Sequence, residues 1–220
     1  MTKLSRSKIE LFLECPRCFY LDMKNQVKRP PPAPYTINTS IDALLKEEFD
    51  THRNNGTAHA LMERVKISAI PYKTDKINVW RHNFTGIQFL HEKTDFLVFG
   101  AVDDVWVNPN DELIVVDYKA TGANDYKIYD SYKRQMEIYQ WLLIQNKFRV
   151  SKVGYFVFAK VNKTKGFSEG KLSFDLFVEP LEGETSWVEG VLIDAKKCLE
   201  SGLPQTKADC KFCQFVSFAK

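Results

Sequence analysis

Residues 113–122 read LIVVDYKATG, an apolar run fit for a buried strand that ends in Asp117 and Lys119, two positions apart. Either charge is costly to bury unless something binds it. Side chains alternate faces along a strand, so Asp117 and Lys119 share one face and Tyr118 points to the other. The preceding stretch, GAVDDVWV from Gly100 to Val107, carries two adjacent acids, and NPND (108–111) between the two runs predicts a hairpin turn. If Val105 pairs with Val115, Asp103 lies opposite Asp117; a slip of one residue sends Asp103 to the far face and brings in Asp104. Register therefore decides which acid joins the site.

Two converging carboxylates and a lysine suit a hard divalent cation, because Mg²⁺ is bound by one or two carboxylates together with water and phosphate oxygens. A cation so held generates hydroxide from water near neutral pH and stabilises charge on a phosphoryl oxygen, while a lysine orients water or offsets the developing negative charge. That chemistry is phosphodiester hydrolysis. The competing reading is a plain buried ion pair, the better account of a D-x-K met alone.

The 220 residues are 44% hydrophobic and 27% charged, which predicts a globular domain spanning 1–220. Lys+Arg 31 against Asp+Glu 28 gives +3, too weak a bias to establish nucleic-acid binding. Lys28/Arg29, Lys160/Lys163/Lys165 and Lys196/Lys197 are local basic patches or solvated lysines. The first residues lack a long apolar segment and no stretch approaches a membrane span in length, so a cytoplasmic protein is expected, with no membrane partner.

Ser5 caps a predicted helix to about Glu14, and Pro16 in ECPRCFY predicts a turn or knuckle. KRPPPAP (28–34) reads as extended polyproline-like chain, and TSIDALLKEEFDTHR restarts helical periodicity with Ile41, Leu44, Leu45 and Phe49 on one stripe. Successive strands follow from about Phe84 to Lys119, then a helix over about 130–146, strands at KVGYFVFAK and KLSFDLFVE, and a last helix over 184–200. This order predicts an α/β fold, a mixed central sheet flanked by helices.

Cys15 and Cys18 (ECPRC) and Cys210 and Cys213 (DCKFC) form two C-x-x-C pairs almost a chain length apart. In a reducing compartment two such pairs predict a four-thiolate metal site joining the N- and C-terminal regions. Cys198, at helical spacing from Val191 and Ala195, reads as a core residue.

These motifs, taken in order, resemble those of the PD-(D/E)XK nuclease superfamily and, within it, the RecB-like branch that includes the CRISPR-associated four-cysteine exonucleases. GAVDD and VVDYKAT match its G-x-x-D and D-x-K elements, and QMEIY (135–139) matches Q-x-x-x-Y on the following helix. The resemblance implies a restriction-endonuclease-like core, with Asp103 and Asp117 as Mg²⁺ or Mn²⁺ ligands and Lys119 as catalytic lysine. Gln135 and Tyr139, at i and i+4 on one helix face, would position DNA or the catalytic strand. Upstream, NTSIDALL (38–45) stands where the family has a G-T-x-x-H-x-x-L element, with Asp42 in place of the metal-binding histidine. Asp42 is then a third hard ligand, a mark of lost activity, or a solvent-facing helix residue.

The resemblance also implies a [4Fe–4S] cluster at the cysteines. The family places one cysteine N-terminally and three C-terminally, whereas this chain has two and two, so cluster and Zn²⁺ both stay open. The expected activity is a deoxyribonuclease, an exonuclease on single-stranded DNA or DNA ends, with partners in a repair, recombination or CRISPR system. A catalytically impaired DNA-binding or assembly module with the same fold is the alternative. A zinc-ribbon adaptor would leave the acids idle.

Overall fold

The computed structural model of the protein describes residues 1–31 and 35–218, the last three by their backbone alone. In chain order the elements are β1 (Thr2–Ser5), α1 (Arg6–Glu14), α2 (Pro16–Asn25), α3 (Thr36–Asn55), α4 (Ala60–Arg64), β2 (Ile70–Pro71), α5 (Ile77–Trp80), β3 (Ile87–His91) and β4 (Phe96–Gly100). Then come β5 (Asp104–Val107), β6 (Leu113–Thr121), α6 (Asp130–Gln145), β7 (Val153–Val161), β8 (Phe174–Glu182), α7 (Trp187–Glu200) and α8 (Lys211–Phe218). They fall into two compact units, one built from residues 1–33, 88–99 and 185–220, the other from 34–87 and 100–184.

In the first unit β1 pairs in parallel with β4, from Thr2 opposite Phe96 to Ser5 opposite Phe99, in a three-stranded sheet of order β1-β4-β3. The Ser5 hydroxyl accepts the Lys8 N–H at 3.3 Å and starts α1, as expected of an N-cap. Pro16 does not open a broad turn. It occupies the first position of α2, where its missing N–H costs nothing, so the knuckle shrinks to Cys15, which ends one helix and begins the next. Leu4, Ile9, Phe19, Val98, Val188 and Leu192 are fully buried in this unit. Of the proline-rich run, residues 32–34 lie outside the described residues, and 28–31 have no regular structure.

The second unit carries the mixed sheet, order β2-β5-β6-β7-β8, in which β6 and β7 are parallel and the other neighbours antiparallel. Strands β3 and β4, expected in the same run, do not join it. β6 is buried from Leu113 through Tyr118 because it has a strand on each side and a helix over each face. Leu45 and Phe49 of α3 pack with Ile114, Val116 and Tyr118, which alternate onto one face, together with Trp106 and Val157. Phe49 and Trp106 stack with ring centroids 5.5 Å apart. α6 covers the other face, where Gly154 leaves room for Met136; a Cβ there would lie 2.4 Å from its sulfur. Leu44 departs from the expected stripe and is exposed, because the buried row of α3 is Leu45, Phe49 and Arg53 at intervals of four.

Candidate active site and thiolate centre

The hairpin adopts the register that aligns the acids: Val105 pairs with Val115 and Asp104 with Val116. Asp103, one residue before β5, is hydrogen-bonded to the partner strand, its Oδ2 accepting the Tyr118 N–H at 3.0 Å. Asp117 is fully buried. Its Oδ1 accepts from Gln135 Nε2 at 2.8 Å, and its Oδ2 pairs with the Lys119 ammonium. Gln135 Nε2 also reaches the Tyr139 hydroxyl at 3.1 Å, so the i, i+4 face of α6 holds the strand-end carboxylate. Lys119 lies over the Tyr132 ring at 4.8 Å, a contact no motif foretold. Burial works against its charge, but Asp117 and Asp103 outweigh it and hold Lys119 above the ordinary lysine range.

Two motifs interlock through a glycine. A Cβ on Gly100 would meet Tyr139 Cε1 at 2.5 Å and Cδ1 at 2.9 Å, so the first residue of G-x-x-D must be bare for the tyrosine of Q-x-x-x-Y to lie where it does. Gly100→Ala is expected to cost about 1–3 kcal/mol by overpacking and to disturb Gln135 through Tyr139. Urea denaturation of Gly100→Ala, Tyr139→Ala and the double variant checks this, the double being less destabilised than the sum of the singles.

Asp104 faces the other way and has a structural role that the sequence did not disclose. It is fully buried, its Oδ1 pairs with Arg53 and with Arg81 Nη2 at 3.2 Å, and its Oδ2 accepts the Tyr118 hydroxyl at 2.7 Å. Asp50 completes the group, 2.9 Å from Arg53 Nε and 2.6 Å from Arg81 Nη1. Burial would raise the Asp50 carboxyl, yet the two guanidinium groups hold it below its usual range. Burial and the Asp104 charge push the Tyr118 phenol well up. Removing one partner of a buried pair typically costs about 3–5 kcal/mol, so Asp104→Asn is expected to lower the denaturation midpoint sharply and Asp103→Asn to change it little.

Asp42 stands on α3 beside this site. The Asn38 amide, one turn earlier, donates to Ala120 O at 3.3 Å and ties the start of α3 to the end of β6. Asp42 is partly buried and paired with Lys46, and burial and the Asp103 carboxylate raise its carboxyl above the ordinary value. Lys46 Nζ lies 2.7 Å from Asp42 Oδ2 and 3.2 Å from Asp103 Oδ1. Thus Asp42, Asp103 and Asp117 meet two ammonium groups. Among the described residues, three or more ligand atoms converge for a metal ion only at the cysteines. The Asp42 Oδ1 atom, buried without a hydrogen-bond partner among the described residues, nevertheless fits a cation that would take it up.

Cys15, Cys18, Cys210 and Cys213 are all buried, with sulfur atoms within 4.8 Å of one another and no disulfide among them. The closest separations are 3.6 Å (Cys18–Cys210), 3.7 Å (Cys15–Cys213) and 3.8 Å (Cys18–Cys213). Each C-x-x-C straddles a helix start: Cys15 precedes α2 and Cys210 precedes α8, where the free N–H groups favour negative sulfur. Although burial opposes it, hydrogen bonds from Cys213 and the other sulfurs bring the Cys210 thiol down to about 7, while burial and the same neighbours push Cys213 up to about 12. Four thiolates at this spacing need a cation among them. Arg29 Nη2 adds a donor 3.6 Å from Cys210 Sγ, with its guanidinium 4.5 Å from the centre of the Phe212 ring. Cys198 lies apart, its sulfur 3.8 Å from Pro16 O, as expected of a residue outside the ligand set.

The model of the PD-(D/E)XK nuclease superfamily matches residues 24–218, and the chain belongs to that superfamily of metal-dependent nucleases. Among solved structures it is similar to the crystal structure of SSO0001, with 16% identity over 98% of this chain and 84% of that one and a TM-score of 0.46. No curated protein matches it. Among the described residues, no helix is long and apolar enough to cross a membrane.

Proposed function

We propose that this nuclease is a deoxyribonuclease acting on single-stranded DNA or DNA ends, with Mg²⁺ or Mn²⁺ held by Asp103 and Asp117 and joined by Asp42. The observation that carries the reading is the continuous hydrogen-bonded set in which Gln135 and Lys119 take separate oxygens of a fully buried Asp117, with Tyr139 behind Gln135. When bound, the cation supplies an activated water and charge stabilisation on the phosphate. Lys119, kept cationic by its neighbours, orients the attacking water and offsets charge on the phosphoryl oxygens as the P–O bond breaks. Gln135 and Tyr139 fix the carboxylate so that no reorganisation is needed during the reaction. The same reading takes residues 1–220 as one nuclease domain, acting in the cytoplasm with partners in a repair, recombination or CRISPR system, as the resemblance implies.

For the thiolate centre, three sulfur separations of 3.6–3.8 Å, with all four sulfurs within 4.8 Å of one another, support a single ion. Bonds of about 2.3 Å to zinc give sulfur–sulfur edges of about 3.8 Å, whereas a [4Fe–4S] cluster spreads its ligands over four irons.

The second reading, an impaired module that binds DNA without cutting it, is favoured by Asp42 in the histidine's place and by Lys46 across Asp42 and Asp103. End-labelled single-stranded DNA, blunt duplex and RNA, each incubated with Mn²⁺ and with chelator, separate the two. Metal-dependent shortening of the DNA is the expected result. Binding without cleavage by metal-loaded protein would replace the nuclease reading with the module.

A further inference from the structure

The D-x-K motif accounts for one lysine, and the site holds two with different anchorage. Lys119 is fixed by its place on β6, by Asp117 two residues away and by the Tyr132 ring beneath it. The Lys46 ammonium has hydrogen bonds, among the described residues, only to Asp42 and Asp103. It reaches them on a flexible four-carbon stem from the next turn of α3, and it is about one-fifth exposed, 21%. Nothing else need break for it to leave.

We infer that Lys46 is a built-in competitor for the divalent cation: it bridges Asp42 and Asp103 in the metal-free protein and must withdraw into solvent for a cation to join those two carboxylates. The inference rests on the carboxylate reading given above and adds a residue that sets metal affinity. One ammonium lies 2.7 Å from Asp42 Oδ2 and 3.2 Å from Asp103 Oδ1, so the two carboxylates are near neighbours and, without a metal, need a positive group between them. A single ammonium supplies it but leaves Asp42 Oδ1 without a hydrogen-bond partner among the described residues. A divalent ion carries twice the charge and can use that oxygen. Lys46 thereby stabilises the metal-free site at the expense of cation affinity, and its positioning effect is on binding rather than on the chemical step.

Calorimetric titration of Mn²⁺ into the full chain, with the thiolate centre loaded, tests this on wild type, Lys46→Met, Lys46→Gln and Asp103→Asn. Removing a unit charge a few ångströms from the ion should tighten Mn²⁺ binding by Lys46→Met at least about tenfold, with Lys46→Gln between it and wild type. In chelator Lys46→Met should melt below wild type, and saturating Mn²⁺ should raise its midpoint by more than it raises that of wild type. A purely structural lysine would lower the midpoint without tightening the metal. If Asp103→Asn loses Mn²⁺ while both Lys46 variants bind it no tighter than wild type, the inference is overturned and the carboxylate site stands. If Asp103→Asn binds Mn²⁺ like wild type, the carboxylate reading itself fails and takes the inference with it. Lys46→Gln keeps a neutral donor for one carboxylate, so the comparison survives if Lys46→Met does not fold.

Discussion

Lys119→Ala is expected to lower Mn²⁺-dependent cleavage of end-labelled single-stranded DNA by at least about 10²–10³-fold, the usual loss when a preorganised electrostatic donor is removed from a reacting centre. The substitution also leaves the fully buried Asp117 without its ammonium partner, so some loss of stability accompanies it. Two measurements keep these effects apart. Rates are taken under conditions where circular dichroism shows the variant folded, and the double variant Asp117→Asn/Lys119→Met removes the unpaired charge. The double should regain stability and remain inactive, because neutralising the pair repairs the packing and abolishes the chemistry. A folded Lys119→Ala that cuts at the wild-type rate would remove the lysine from the reaction, leaving D-x-K here as the buried ion pair that an isolated motif would suggest.

How much of this was legible in the sequence depends on the range of the interactions concerned. Alternation along LIVVDYKATG placed Asp117 and Lys119 on one face, because strand geometry is a local property; the hairpin register stayed conditional in the sequence, and the pairing of Val105 with Val115 in the structure supplies it. The α6 face was equally readable, since Gln135 and Tyr139 are one helical turn apart. What the sequence did not yield depends on packing between elements distant along the chain. Arg53 and Arg81 meet Asp104 across 51 and 23 positions, and in the sequence Asp104 differs from Asp103 only by one step of strand alternation. Lys46 reaches Asp103 from α3, where an Asp–Lys pair at i, i+4 passes for ordinary helix surface. Tyr132 reads as an aromatic on an amphipathic helix until Lys119 is seen above it. The division of strands between two sheets was hidden for the same reason: β4 and β5 both alternate, but their partners, β1 and β3 for one and β2 and β6 for the other, are set by the rest of the chain.

Cys213→Ser is expected to remove the metal from the thiolate centre and with it the cooperative unfolding of the unit that contains both chain ends. The four sulfurs are buried within 4.8 Å of one another, where four thiolates repel and four thiols leave an empty ligand set, a conflict set by their geometry. A soft cation resolves the conflict by displacing the protons, so metal binding and folding share one free energy and the centre should be loaded whenever the unit is folded. Serine keeps the size but offers a hard, weakly acidic oxygen that a thiophilic ion does not prefer. Metal analysis of anaerobically purified wild type should give about one zinc per chain, as a single tetrahedral S₄ site requires, and Cys213→Ser should give far less, with a broadened thermal transition at lower temperature. Cys198→Ser, altering the one cysteine outside the ligand set, should retain the metal in full. The carboxylates belong to the other unit and take hard ions, so any loss of cleavage in Cys213→Ser should follow the folded fraction and should not be restored by adding Mn²⁺. A brown wild type containing iron and acid-labile sulfide in place of zinc would overturn the single-ion assignment while keeping the four thiolates, and folded wild type without either metal would overturn the thiolate centre itself.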